Sequence, residues 1–523
     1  MTSTKATAHW TLEALALAGV KTIVFSPGSR NAPLIIAAEA LGSFDMQVLG
    51  DERSAAFNAL GQSLVTGNPV AVCCTSGSAL ANYYPAILEA YYAHVPLIVL
   101  SADRPEERIN KGEGQTCVQR DFYEPHVAAS VQLDEVSTYA EARKTLQYAI
   151  QAMHFEMRPI HINIAFDEPL YERGTAPKPM QLELPADSFV KHGLPESFPS
   201  PDFGDFKAVA VIAGQLMPEE SAMVRELLDE GVEWTLFADP MSGLLDHPNA
   251  TPMEALLQVQ PDAVLSIGGQ WINKKPKQYL REIGITKHVH VDTFQCWDVL
   301  DANVEHIRFS PNLLKRWKSA TNFIRVSQNE LTISELPWSD AAAFRCVMDV
   351  LHAQSTLHLG NSSVARYFNY FPKHVSLYGN RGVAGIDGSL STAVGSALAD
   401  KEREHILVLG DQSFLYDHNG LYARELPHNL TICVLNNGVG GIFDWLPGTA
   451  STGQEARRIF ANAQNVDLKS LATAFGAAYV RVQSIQELAS ALAQRQGLRV
   501  IDCITEQSTN LKALKILQND GRA

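Results

Sequence analysis

Residues 406–447 read ILVLGDQSFLYDHNGLYARELPHNLTICVLNNGVGGIFDWLP, and two runs within them leave the chain little freedom of fold. ILVLG is short, continuous and apolar and stops at a glycine and an acid. TICVL stops at Asn436-Asn437 and a glycine-rich turn, so both runs have the form of buried parallel strands. The intervening residues 413–428 are long enough for a crossover helix, which puts the two strands side by side with their carboxyl ends pointing the same way. Ligands of open α/β sheets bind at that edge. Asp411 and Asn437 can then reach a common point above the sheet, and an all-oxygen pair of this kind suits Mg²⁺ together with phosphate oxygens and water. Gly438, Gly440 and Gly441 let backbone N–H groups approach an anion, just before a predicted helix start at Ile442. Taken alone, a Gly-Asp strand end or an Asn-Gly turn is an ordinary part of any doubly wound sheet.

The same alternation of apolar runs and helical segments fills the rest of the chain. KTIVF, MQVLG, PVAVCC, VPLIVL and IHINI predict a first parallel sheet; AVAVIAG, AVLSIGG and HVHVD a second; TLHLG, VSLYG, ILVLG, TICVL and RVIDC a third. The fold class is therefore α/β with three doubly wound parallel-sheet domains, at 1–175, 205–332 and 338–523. A proline-rich linker lies between the first two, and a looser stretch near 334–337 precedes the third. The apolar content of 46% is ample for several cores. No charged-then-apolar leader and no apolar run of membrane-spanning length is visible, so the expected compartment is the cytoplasm. Seven cysteines without a C-x-x-C suggest neither a disulfide framework nor a zinc site. A net charge of −15 argues against nucleic-acid binding, so any anionic ligand must be met by local basic residues. His288 and His290 share a strand face without a third ligand nearby and are read as structural.

At its spacing and on these strand ends, the Gly-Asp and Asn-Asn pair resembles the signature of the thiamine diphosphate-dependent enzymes. The resemblance implies that Asp411, Asn437 and the backbone carbonyl of Val439 hold Mg²⁺, with Mn²⁺ an alternative, and that Gly410, Ser413 and Gly438 lie against the cofactor. It also implies that Glu52, in DERS after a first-domain strand, hydrogen-bonds N1′ of the aminopyrimidine. Ile386 would prop the bent cofactor from an apolar position, with Ile442 just past the cradle. On the residues alone, Glu52 could merely favour a helix N-terminus, and Ile386 and Ile442 could be ordinary core. Gln412 stands where the general motif has glycine.

A wider set of motifs, SPGSRNAPL, DERSAAFNALG, TSGSALANYYPAILEA, SADRPEER, GNSSVAR, GNRGVAGIDG and NNGVGGIFDWLP, is similar to one branch of that family, which acts in menaquinone biosynthesis. It covers the first and third domains and thins out in the middle one. That branch decarboxylates 2-oxoglutarate and adds the resulting carbanion to the conjugated double bond of isochorismate. Both substrates are dianions, for which bidentate arginine is a natural clamp. Motif by motif, the resemblance implies Ser29, Arg30, Arg104, Gln115, Ser362, Arg366 and Arg381 as substrate contacts. Lys275 in WINKKPKQYL is a further candidate, although a KKPK run also reads as a solvated turn, and Pro276 stands where relatives carry a second basic residue. Since Glu52 and the cradle lie in different domains, the resemblance implies a homodimer or homotetramer with the cofactor at a subunit interface.

Two other readings compete. A different thiamine diphosphate enzyme, such as an acetolactate synthase or a simple 2-oxoacid decarboxylase, would not need so many arginines. A non-catalytic nucleotide- or flavin-binding module would be expected to show G-x-G-x-x-G after a strand with an acid some twenty residues on, and none is present.

Overall fold

The computed structural model describes residues 1–184, 203–294, 296–308, 322–326, 333–445, 447–494 and 497–522. Its main strands form three six-stranded sheets, every neighbouring pair of which is parallel. The first sheet runs Asp45–Val48, Thr22–Phe25, Val70–Cys74, Leu97–Asp103, Ile160–Ala165, Ala129–Leu133, or 2-1-3-4-6-5 in chain order. The third repeats that order with Ser376–Tyr378, Thr356–Leu359, His405–Gly410, Leu430–Asn436, Arg499–Ile504 and Ala478–Val482. The central sheet differs, running Ala250–Pro252, Leu236–Ala238, Val209–Ala213, Ala263–Ile267, Lys287–Val291, Val304–Ile307, or 3-2-1-4-5-6.

The sheets are buried on both faces, which is why their strands read as unbroken apolar runs rather than alternating ones. In the first sheet Ile23, Ala71 and Cys73 pack into one core while Val24, Val70, Val72 and Cys74 pack into another on the opposite face. The reading of the two key runs holds: His405–Gly410 and Leu430–Asn436 are adjacent and parallel, with Gly410 opposite Leu435. The connection between them departs from the expected long crossover helix. The helix spans only Asp411–Asp417 and passes into a 3₁₀ turn at His418–Leu421, after which the chain runs irregularly to the next strand.

By packing, the chain falls into two compact units. One comprises Met1–His192, Gly382–Glu402 and Tyr416–His428; the other comprises Gly193–Arg381, Arg403–Leu415 and Asn429–Ala523. Residues 185–202, within the predicted linker, lie outside the described residues. In the first unit the helix Glu52–Thr66 packs closely on the helix Ser389–Ala399. Glycine makes that approach possible. A Cβ on Gly61 would lie 1.9 Å from the Thr392 carbonyl oxygen, and one on Gly395 would lie 1.9 Å from that of Asn58. Ser396 Oγ donates to the Gly61 carbonyl at 3.0 Å across the same contact. In the second unit the central and third sheets share one apolar core, joining Val211 and Leu265 to Leu357, Val408 and Cys433. No described helix is long and apolar enough to cross a membrane.

Candidate active site

Because the strands of each sheet are parallel, the residues that follow them gather at one edge. In the first unit, Ser26 to Asn31 leave Thr22–Phe25 in a turn closed by Asn31, whose Oδ1 accepts from Gly28 N–H at 3.0 Å and whose Nδ2 donates to Ser26 O at 3.1 Å. This turn presents Ser29 exposed and draws Arg30 inward to 5% exposure. Arg30 donates to Phe166 O at 3.0 Å and pairs with Glu168 at 3.2 Å. Burial, and next the charge of Arg104, push its pKa down. Arg104 follows Leu97–Asp103 and donates to Gly114 O at 2.9 Å, while Gln115 stands exposed beside it with φ +55°. Behind them Gln119 accepts from Gly77 N–H at 2.9 Å and donates to Asn163 at 2.9 Å, and Asn163 donates to Asp103 at 2.8 Å. The predicted set Ser29, Arg30, Arg104 and Gln115 thus shares one strand-end edge.

Glu52 follows Asp45–Val48 at that edge. The helix-capping role belongs to its neighbour Asp51, which accepts from Ser54 N–H at 3.0 Å and from Asn419 Nδ2 at 2.7 Å. Glu52 is half-buried and accepts from Asn82 Nδ2 at 3.2 Å. Ile386 is also half-buried, in a loop fixed by Glu89, whose carboxylate accepts from Gly382 N–H at 2.6 Å and Val383 N–H at 2.8 Å. That loop leads into Ser389–Ala399, the helix clamped on the one that Glu52 begins.

In the second unit, Asp411 directly follows His405–Gly410 and is 2% exposed. Gln464 Nε2 donates to it at 2.8 Å, and the backbone N–H groups of Gln412 and Gly438 add to this. All these donors are neutral, and burial pushes its carboxyl up to about 6. Asn437 follows Leu430–Asn436, its Oδ1 accepting from Val439 N–H at 3.0 Å and its Nδ2 donating to the buried Asp340 at 2.9 Å. Gly438, at φ +72°, turns the chain just after Asn437 and gives its N–H to Asp411. Among the described residues no group of three His, Cys, Asp or Glu could hold a metal. The fit is instead to a hard divalent cation held by one buried carboxylate, one amide oxygen and a backbone carbonyl, with other ligands from a phosphate and water. A carboxylate with no cationic partner among its donors is what such an ion would compensate.

Two features differ from expectation. The N–H groups of Gly440 and Gly441 are committed to Ala461 O at 2.6 Å and Val439 O at 2.8 Å, because the segment after the cradle folds back over it. The predicted helix start at Ile442 is a 3₁₀ turn, Gly441–Asp444, with Ile442 half-buried. Gln412 exchanges two hydrogen bonds with Asn462, at 3.1 and 2.8 Å, and so ties that overlying segment down. Ser413 is buried beneath the cradle, at 4% exposure.

A cationic cluster completes this edge. Arg381 donates to Asn361 Oδ1 at 2.6 Å, and Arg366 donates to Ser362 O at 2.5 Å, Ser362 standing at φ +73°. Burial, then the charge of Arg381, push the pKa of Arg366 down. The two lysines of this helix differ in burial. Lys275 lies exposed on the helix Lys274–Glu282, whereas Lys277 is half-buried toward Asp239 and Arg381, and burial lowers its pKa. The cause is helical spacing: Pro276 and Leu280 are buried, and Lys277 borders that face. Burial pushes Glu254 up to about 7, and the charge of Lys275 acts against that rise, so Lys275 also reaches this edge electrostatically. Lys277, Asp340 and Gln464 are the residues that sequence reasoning missed. A count of helical turns from Pro276 could have found Lys277; the other two carry no local signal. His288 and His290 both bond Ser266, at 2.7 and 2.8 Å.

Strand-end carboxylate, amide and glycine turn on one such sheet, and a glutamate after a strand of another, define the class of thiamine diphosphate enzymes. Residues 5–124 match the thiamine pyrophosphate enzyme N-terminal TPP binding domain, and residues 358–503 match the C-terminal TPP binding domain. The chain is 33% identical over 515 residues to the 2-succinyl-5-enolpyruvyl-6-hydroxy-3-cyclohexene-1-carboxylate synthase of Flavobacterium psychrophilum, covering 91% of this chain and 90% of that one. It is 36% identical over 495 residues to the protein of the same name from Desulfotalea psychrophila, covering 88% and 91%. The chain belongs to the 2-succinyl-5-enolpyruvyl-6-hydroxy-3-cyclohexene-1-carboxylate synthase family and is a thiamine diphosphate-dependent enzyme. Its fold is also that of benzoylformate decarboxylase from Polynucleobacter necessarius, with a TM-score of 0.72, 18% identity and coverage of 97% and 99% of the two chains.

Proposed function

We propose that this enzyme decarboxylates 2-oxoglutarate and joins the remaining four carbons to isochorismate, in menaquinone biosynthesis. The name of the relatives describes a cyclohexene carboxylate bearing enolpyruvyl and succinyl groups, and a succinyl group is what 2-oxoglutarate delivers once CO₂ has left. The observation that carries the reading is the cluster of Lys277, Arg366 and Arg381 at the strand ends of a chain whose net charge is −15. Basic side chains concentrated against the overall charge suit dianionic substrates. Arg30 and Arg104, with Ser29 and Gln115, form a second basic group in the first unit. Ser362 belongs with Arg366; Lys275 is retained only as a peripheral candidate.

Bound thiamine diphosphate supplies the electron sink that lets a 2-oxo acid lose CO₂ and leaves a carbon nucleophile. Glu52 holds a proton at N1′ of the aminopyrimidine, and Ile386 and Ile442 offer apolar support. Asp411, Asn437 and the Val439 carbonyl hold Mg²⁺ or Mn²⁺, beside Gly410, Ser413 and Gly438. Three domains, at 1–175, 205–332 and 338–523, remain part of the reading, supported by one six-stranded sheet within each span. A homodimer or homotetramer with the site at a subunit interface is part of the reading, supported by exposed Ile459 and Phe460 beside the cradle. Cytoplasmic location accords with seven free thiols.

The test is incubation with thiamine diphosphate, Mg²⁺, 2-oxoglutarate and isochorismate, following CO₂ release and isochorismate loss, with pyruvate as control donor. Coupled loss that needs 2-oxoglutarate supports the reading, whereas turnover of pyruvate alone overturns it. Glu52→Gln is expected to lower turnover by about 10²-fold or more while the fold and cofactor binding persist.

A further inference from the structure

The amide that faces the cradle has two chemically different ends, and one buried carboxylate decides which end is presented. Asp340 opens the helix Asp340–Val350 and is 2% exposed. Its Oδ2 accepts from Asn437 Nδ2 at 2.9 Å, and its Oδ1 accepts from Thr505 Oγ1 at 2.5 Å. Its own N–H donates to Asn510 Oδ1 at 2.8 Å, so residues 505–510 of the same unit tie both its carboxylate and its backbone. On the other side of the amide, Asn437 Oδ1 accepts from Val439 N–H at 3.0 Å. Rotating the amide by half a turn would set Asn437 Oδ1 against the Asp340 carboxylate and its NH₂ against the Val439 N–H. Both hydrogen bonds would become contacts between like groups, acceptor on acceptor and donor on donor. Only one orientation survives, and it leaves the amide oxygen, the end a metal ion can use, on the cradle side.

We propose that Asp340 is a positioning residue that locks the Asn437 amide with its oxygen toward the divalent cation. This rests on reading Asp411, Asn437 and Val439 as the metal cradle. Asp340 acts through Asn437 and is not itself one of the ligands in that reading. Partners of this kind fix the orientation of a ligand before the ion arrives, and removing one typically costs about 10- to 100-fold in metal affinity.

The experiment is a Mn²⁺ titration read by electron paramagnetic resonance at saturating thiamine diphosphate, which needs no turnover. Asp340→Asn keeps size and shape but can offer either end of its own amide, so Asn437 loses its fixed orientation. Mn²⁺ affinity is expected to fall about 10- to 100-fold. Asn437→Asp alone sets two carboxylates face to face and is expected to weaken binding too. The exchanged pair, Asp340→Asn with Asn437→Asp, restores a donor opposite an acceptor and is expected to bind Mn²⁺ more tightly than either single variant. A merely structural role would give two losses that multiply. Unchanged affinity in Asp340→Asn, or multiplied losses in the exchanged pair, overturns the proposal. Should Asp340→Asn fail to fold, Thr505→Val leaves the carboxylate in place with one holding bond removed. It is expected to weaken Mn²⁺ about fivefold, the scale of one hydrogen bond, and wild-type affinity there overturns the proposal as well. Failure of the unaltered protein to bind Mn²⁺ at all would instead sink the cradle reading on which it stands.

Discussion

Gly61→Ala sets two physical expectations against each other. On helix propensity alone, alanine in the interior of Glu52–Thr66 stabilises by about 1 kcal/mol over glycine. The packing reverses the sign. The new Cβ would stand 1.9 Å from the Thr392 carbonyl oxygen and 2.8 Å from its carbon, where ordinary contact begins near 3.4 Å. The difference, 3.4 − 1.9, means the helices must part by about 1.5 Å, and no rotamer change relieves a clash with backbone. Parting them also stretches the 3.0 Å bond from Ser396 Oγ to Gly61 O beyond hydrogen-bonding range. Overpacking costs about 1–3 kcal/mol and the lost bond about 1 kcal/mol. After the propensity gain, about 1–3 kcal/mol of destabilisation remains, a fall of roughly 2–12 °C in thermal midpoint at about 2–4 °C per kcal/mol. Because the shifted helices lead to Glu52 and Ile386, kcat is expected to drop up to about 100-fold at saturating cofactor. Thermal melts followed by circular dichroism, with kinetics on the same preparation, provide the assay. An unchanged or raised midpoint would show that the helices do not meet as described.

Two further outcomes follow from the electrostatics. Lys277→Met is expected to raise KM for an anionic substrate about tenfold, the loss of one charge-assisted contact, while Lys275→Met changes it less than about twofold; equal effects would return the role to Lys275. Asp417 is buried and accepts from Ser391 N–H at 2.7 Å and Ser391 Oγ at 2.6 Å, yet burial pushes its carboxyl from 3.8 up to about 7. The folded state therefore binds this proton more tightly than the unfolded one, and stability fully present below about pH 4 is lost as pH rises through about 7. Asp417→Asn cannot ionise and is expected to flatten that decline in denaturant titrations between pH 4 and 8; a slope matching the unaltered protein would refute the assignment.

The sequence announced whatever is local and apolar. ILVLG and TICVL could be read as neighbours because both are buried on two faces, and Asp411 and Asn437 followed from where they stop. Among the described strands of the three six-stranded sheets, five carry no clear apolar run: Ala129–Leu133, Leu236–Ala238, Ala250–Pro252, Val304–Ile307 and Ala478–Val482. Four of them are sheet edges, where one side faces no neighbour and the continuous apolar run is not required. Ser29, Arg30 and Arg104 stand at one edge of the first sheet because each follows one of its parallel strands. Asp340 and Gln464 stayed invisible because what they do depends on partners 97 and 53 residues away. Lys275 and Lys277 stand two residues apart on one helix, and a motif alone does not set which of them is the more buried.

The borrowed segments of the first unit also set a schedule for synthesis. Its last main-sheet strand ends at Ala165, but the helix Ser389–Ala399, which covers Glu52–Thr66 through Gly61 and Gly395, begins 389 − 165 = 224 residues later. At about 5–20 residues per second, roughly 10–45 s of translation separate the two. Through that interval the glycine face of the Glu52 helix has no cover from its own chain. It is a surface left open, for that time, to a chaperone or to a misplaced second copy.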